Sequence, residues 1–199
     1  MADNFKDKAQ TWDKGSTRVN GAKTIADAIS KNIKLESHMQ LMDFGVGTGL
    51  LGFEILPQVD KILGIDISQK MLEKLDEKNS PKQYIETRNV DIIKNPLEES
   101  FHGIISSMTL HHVENLELFF QMIYKNIHPN GFIAIADLEA EDGTFHSDNT
   151  GVFHFGFKED ALCKIVTNAG FKDVKIENIN TINKPHRDFG VFLLTAKKA

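Results

Sequence analysis

The 199-residue chain holds one cysteine, Cys163, so no internal disulfide framework can form. That residue sits in the apolar helical stripe ALCKIV, where a buried, inert thiol is favoured over a nucleophile. No Cys/His cluster has the spacing of zinc ligands, and no metal is expected. Arginine is scarce as well: only Arg18, Arg88 and Arg187 stand beside 20 lysines, and the formal charge is −5. The planar forks that grip phosphates in pairs are therefore few, which disfavours a nucleic-acid partner. No apolar run approaches the roughly 18 residues of a membrane span. The charged segment MADNFKDKAQ has no signal-peptide core. These absences point to a cytoplasmic protein with no membrane partner, and they carry no information on oligomeric state.

What is present is an ordinary globular composition, 41% apolar, on a chain long enough for one well-buried core. Residues 4–33 carry apolar positions at helical spacing, with Ile25, Ala26, Ile29 and Ile33 on one stripe. From Met39 the period changes. Strand-like runs at 39–44, 61–66, 83–90, 103–107 and 132–137 alternate with helical segments at 50–56, from Ser68 as N-cap, and at 116–127. Such alternation implies a parallel sheet covered by helices. The turn Pro129-Asn130-Gly131 is expected to open the fifth strand. Residues 158–169 read as a helix closed by Gly170, followed by an antiparallel pair at 172–181 and 189–196 around Asn183-Lys184-Pro185. The polar stretch 139–157, punctuated by Phe145, Phe153, Phe155 and Phe157, is long for a connection and is expected to be a lid.

The strongest chemical signal is DFGVGTG at 43–49, where glycines let the backbone turn sharply at a strand end and approach a ligand closely. Alone it is ambiguous. Gly47, Gly49 and Gly52 also satisfy the dinucleotide fingerprint, and Asp66 follows Gly47 by 19 residues, where an acid accepts from ribose hydroxyls. Asp43 separates the two readings, because its carboxylate repels a pyrophosphate but attracts the ammonium and sulfonium of S-adenosylmethionine. Taken singly, Asp43 and Asp66 are each explained equally well as turn-capping aspartates.

At these residues the chain resembles the class I, Rossmann-like, S-adenosylmethionine-dependent methyltransferases, especially their small-molecule branch, over nearly its whole length. The resemblance implies a three-layer, doubly wound α/β fold with a mostly parallel seven-stranded sheet in the order 3-2-1-4-5-7-6, the last strand antiparallel. It also implies one domain over 1–199, with a helical cap at 1–35. MDFGVGTGL at 42–50 is similar to the family's first motif, which places Asp43, Gly45, Gly47, Thr48 and Gly49 around the methionine part of the cofactor. GIDIS at 64–68 is similar to the second, with Asp66 on the ribose, Ile67 beside it and Met71 lining the adenine. NVDI at 89–92 resembles the third-strand motif, giving Asp91 to the adenine amino group and Ile92 to its ring. IISSMTLHHV at 104–113 resembles the segment after the fourth strand, which makes Ser106 and Ser107 further cofactor contacts. Ala9 with Trp12-Asp13 resembles the N-terminal helix that closes over the cofactor, with plain helix packing as the equal alternative. His102 departs from the family, which has an aspartate there.

The implied function is methyl transfer from S-adenosylmethionine to a small-molecule acceptor, leaving S-adenosylhomocysteine. Proximity and in-line orientation would do most of the work, since the sulfonium is already activated. A base is needed only for a weakly nucleophilic acceptor, and the histidines near the cleft, His111, His112, His146 and His154, are the candidates. His111 and His154 are the better candidates of the four; a helix-start histidine that packs or caps is the favoured alternative for His111, and a hydrophobic loop anchor is the equal alternative for His154. Asp137 is an alternative acceptor contact. An NAD(P)-dependent oxidoreductase and a non-catalytic cofactor-binding protein are the competing functions.

Overall fold

The computed structural model describes residues 8–199, so the first residues of the expected N-terminal cap lie outside the described part. A 3-10 turn, Ala9–Lys14, leads into α1, Ser16–Asn32. The chain then alternates through β1 (Gln40–Phe44), α2 (Leu50–Ile55), β2 (Lys61–Asp66), α3 (Gln69–Asp76), β3 (Glu86–Asn89) and β4 (Phe101–Ser107). It continues with α4 (Leu116–Lys125), β5 (Ile127–Leu138), α5 (Glu159–Asn168), β6 (Lys172–Lys184) and β7 (Arg187–Lys197).

The seven strands form one sheet in the order β3-β2-β1-β4-β5-β7-β6, with β7 antiparallel to both neighbours. Successive side chains of a strand point to opposite faces, and the buried runs obey this rule. Met42, Leu63, Ile104 and Ile133 join one core with Phe119, Phe120 and Ile123 of α4 and Leu162 of α5. Leu41, Ile62, Ile105 and Ala134 join the other with Ile29 of α1, Ile55 of α2 and Leu72 and Leu75 of α3. Both faces are thus helix-covered, which is why the strands read as apolar runs rather than as strict alternation. Truncating a fully buried ring such as Phe119 to alanine is worth about 3–5 kcal/mol.

The differences from the sequence reading have local causes. Ile127, expected at the end of a helix, already pairs with Phe101, so β5 starts before the Pro129-Asn130-Gly131 turn and carries it as an irregularity. Asn130 takes a positive φ of 63° there. The last hairpin turns at Pro185-His186, one step later than expected, because Lys184 still pairs with Arg187. His111 and His112 lie in a separate 3-10 turn, Leu110–His112, before α4. Among the described residues no helix is long and apolar enough to cross a membrane.

Candidate active site

The sheet order reverses between β1 and β4, and in such sheets the crevice outside the carboxyl ends of the strands is where ligands bind. A cavity of about 1190 Å³ lies there. Its first wall is the loop after β1. Gly45 has φ +69°, and a Cβ on it would come within 2.2 Å of the Thr109 side chain, so only glycine fits against the loop after β4. Gly47 has φ +54° and nothing within 4 Å of where its Cβ would stand, which leaves an open cradle facing the cavity. Gly49 is not on the wall. It caps α2 in the left-handed region, and a Cβ there would press on Phe53 and Leu75 at 3.0–3.1 Å.

Asp66, at the end of β2, holds this loop from below. Its carboxylate accepts from the Gly47 N–H at 2.9 Å and from the Ser68 N–H at 2.8 Å, joining the glycine loop to the start of α3. Asp43 is 1% exposed, and its Oδ2 is buried with no donor in bonding geometry. Burial foremost, and then the charge of Asp66, raises its pKa well above the carboxylate norm, with the Gly52 N–H offsetting part of the shift. A buried oxygen left unmatched in this way costs about 1–3 kcal/mol until a partner arrives. Asp91 also lines the cavity; it accepts from the Ile93 N–H at 3.1 Å and pairs with Lys94 at 3.0 Å. With Ile67, Met71, Ile92, Thr48 and Ser107 on the same walls, the expected cofactor residues converge with two exceptions, Gly49 and Ser106. Ser106 is 1% exposed and turns inward, its Oγ donating to the Phe44 carbonyl at 2.7 Å, so it braces β4 against β1 rather than facing a ligand.

The N-terminal segment folds over this wall. Thr48 Oγ1 donates to Asp13 at 2.5 Å, and Lys78 at the end of α3 pairs with the same carboxylate at 2.7 Å. Trp12, with the Arg18 guanidinium 4.2 Å over its ring, lines the cavity beside it.

The opposite wall carries the histidines. His111 is 2% exposed and lines the cavity. Its Nδ1 lies 2.8 Å from Asp137 Oδ1, and its backbone N–H donates to Asp137 Oδ2 at 3.1 Å. Because that carboxylate only accepts, the contact fixes the proton on Nδ1 and leaves the lone pair on Nε2. Asp137, at the end of β5, is fully buried and off the wall, so it orients His111 rather than meeting an acceptor. The sequence reading named both residues but not their pairing; the signal was that the ends of the neighbouring strands β4 and β5 must meet.

His112 Nδ1 donates to the Gly151 carbonyl at 2.7 Å, and burial foremost, with the adjoining His111 ring second, lowers its pKa. His146 faces His111 with ring centroids 4.9 Å apart, and burial, then His111 and His112, lower its pKa to about 4. Its Nε2 is buried without a partner.

The stretch 139–157 has no regular secondary structure, but it is anchored. Ala140 and Glu141 donate to Phe157 and Phe155 at its neck, and the Glu141 carboxylate accepts the Gly143, Thr144 and Phe145 N–H groups. Only Phe145 of its four phenylalanines lines the cavity; Phe157 enters the core, while Phe153 and Phe155 face solvent. His154 is likewise placed elsewhere. Its Nε2 donates to the Val113 carbonyl at 2.8 Å and its ring packs on Phe157, which corresponds to the loop-anchor reading rather than to a base. Among the described residues no group of His, Cys, Asp and Glu is arranged to hold a metal ion.

Residues 42–135 match the family described as a methyltransferase domain. An uncharacterised methyltransferase of Schizosaccharomyces pombe is 30% identical over 164 residues, covering 73% of this chain and 57% of that protein. The chain thus spans little more than half the length of that relative. Among solved structures, phosphoethanolamine N-methyltransferase 2 of Haemonchus contortus, in complex with S-adenosyl-L-methionine, superposes with a TM-score of 0.72. It shares 16% identity and covers 98% of this chain and 59% of its own. The [4+2]-cyclase SpnF has the same fold at a TM-score of 0.70 and 16% identity, covering 88% of this chain and 80% of its own. Residues 42–135 thus match a methyltransferase domain, and the chain as a whole shares the fold of S-adenosylmethionine-dependent methyltransferases.

Proposed function

We propose that the chain transfers a methyl group from S-adenosylmethionine to a small-molecule acceptor, with His111 as the base. The observation that carries this reading is one cavity with two unlike walls: Asp43, Asp66, Asp91 and the Gly47 cradle on one side, and a tautomer-fixed imidazole on the other. The residues fit the cofactor. The unmatched Oδ2 of Asp43 suits a cationic amino-acid moiety, the Asp66 carboxylate stands on the cavity wall as an acceptor for ribose hydroxyls, and Met71 and Ile92 line the same cavity as Asp91 with apolar surface for a base. The bound cofactor supplies a methyl group on a sulfonium that is already a good leaving group.

The chain then has to bring the acceptor into line and remove its proton. Nε2 of His111 would take the acceptor proton and leave the acceptor's electron pair free to bond to the methyl group, while the bound cofactor would supply a sulfur that keeps the carbon–sulfur pair as a neutral thioether leaving group. Asp137 stabilises the imidazolium that results. The whole described chain acts as one domain, with the segment from Ala9 through α1 as cap and 139–157 as a fixed lid. The test is turnover of labelled S-adenosylmethionine against a panel of hydroxyl, amine and thiol acceptors. Transfer that disappears in His111→Asn, with S-adenosylhomocysteine affinity kept, supports the reading; binding of the cofactor product without transfer to any acceptor favours a non-catalytic binding protein.

A further inference from the structure

His146 is a side chain of this cavity that the proposed reaction leaves unused. It comes from the lid, packs edge-on against Phe145 with centroids 4.8 Å apart, and stands 4.9 Å from the His111 ring. Its Nε2 is buried and without a partner, although it belongs to a wall residue of the cavity described above. Buried polar atoms in folded proteins are nearly always matched, and an orphan beside a ligand cavity is matched most simply by the ligand. The imidazole is neutral at physiological pH, so it can exchange one hydrogen bond with an uncharged oxygen without needing a counter-charge.

The neighbouring groups define what that oxygen belongs to. His111 removes a proton from one group of the acceptor, and the His146 ring lies one imidazole away on the same wall. Two polar atoms on adjoining carbons suit two hydrogen bonds to rings this close. Phe145, edge-on against His146, and Met108 give the same cavity flat and apolar surface. Resting on the methyl-transfer reading above, we propose that His146 reads a second oxygen of the acceptor, next to the one deprotonated by His111. The acceptor is then a planar molecule with two neighbouring oxygen functions, either a vicinal dihydroxy ring or a hydroxy-carbonyl system.

The experiment is calorimetric titration of the full chain, saturated with S-adenosylhomocysteine, using catechol, tropolone and phenol as probes. Catechol presents two hydroxyls, tropolone a hydroxyl beside a carbonyl, and phenol a single hydroxyl. The wild-type chain should bind catechol or tropolone at least about tenfold tighter than phenol, about 1.4 kcal/mol. Whichever of the two wins identifies the second oxygen. His146→Phe should erase the preference while leaving phenol and S-adenosylhomocysteine affinities within about twofold, and His146→Gln, which keeps a donor and an acceptor, should retain part of it. Equal binding of all three probes overturns the proposal, as does a preference that survives in His146→Phe. Failure of the wild-type chain to bind S-adenosylhomocysteine at all overturns the methyl-transfer reading and this proposal with it.

Discussion

The two walls of the cavity are built by different physics. The cofactor wall comes from three consecutive strand ends and the tight turns that follow them. Its key bonds, Asp66 to Gly47 and Asp66 to Ser68, link residues whose spacing is fixed by a strand–turn–helix unit. The wall proposed for the acceptor joins parts distant in sequence: the His111 turn, the end of β5, the stretch 139–157 and the β6–β7 hairpin, where Asn183 and Lys184 reach the cavity. The first wall is local and repeats a backbone solution. The second is an assembly of long-range contacts, each side chain being placed by a different loop.

Changes on the two walls should therefore separate binding from turnover. The largest effect is expected on the acceptor wall: His111→Asn should lower kcat by about 10²–10⁴-fold with little change in S-adenosylhomocysteine affinity, measured by steady-state kinetics and calorimetry. A parallel loss of both would break the division. Asp66→Ala should do the reverse, weakening S-adenosylhomocysteine by roughly 10–100-fold through the loss of charge-assisted bonds. It also frees the Gly47 and Ser68 N–H groups, so its melting temperature should fall.

Asp43→Asn sharpens the comparison further, because stability and binding should move in opposite directions. The Asp43 pKa is raised in the folded state, so the fold holds this proton more tightly than the unfolded chain does. Its ionisation therefore costs stability as pH rises from the unfolded value, about 3.9, through the raised one. At neutral pH the asparagine variant should melt higher than wild type while binding S-adenosylhomocysteine more weakly, a pairing readable by thermal scans with and without the ligand.

His146 has the opposite sign. Its folded pKa is depressed to about 4, so between that value and about 6.5 the unfolded chain takes up a proton that the fold refuses. Stability should fall as pH drops through that window, and His146→Gln should flatten part of the slope. The smallest effect belongs to Asp13→Ala, which releases Thr48 and Lys78. S-adenosylhomocysteine affinity should weaken by about 3–10-fold, as expected for loss of one or two part-exposed hydrogen bonds.

The same contrast explains what was legible in the sequence. The sheet order and the alternation of elements came through the resemblance and the period change, and Asp43, Gly47, Asp66, Met71 and Asp91 all reached the expected wall. Gly49 and Ser106 sit one step too deep. A motif specifies which backbone positions surround a ligand, but not which side of the strand each side chain takes once β4 packs on β1. The acceptor wall was legible only as a set of histidines. Sequence spacing does not distinguish His111, locked by Asp137 across two strand ends, from His154, pinned to the Val113 carbonyl. The lid phenylalanines point the same lesson: their shared apolarity hides the fact that one lines the cavity, one enters the core and two face water.

The decisive measurement is a calorimetric titration of the wild-type chain and of Asp43→Asn at neutral pH with S-adenosylhomocysteine and, separately, with NADH. The wild-type chain should bind S-adenosylhomocysteine and not NADH, and Asp43→Asn should bind S-adenosylhomocysteine more weakly, because the buried Oδ2 of Asp43 loses its pairing with the ligand ammonium. Binding of NADH in its place, or of S-adenosylhomocysteine with no loss in Asp43→Asn, would contradict the two-wall assignment.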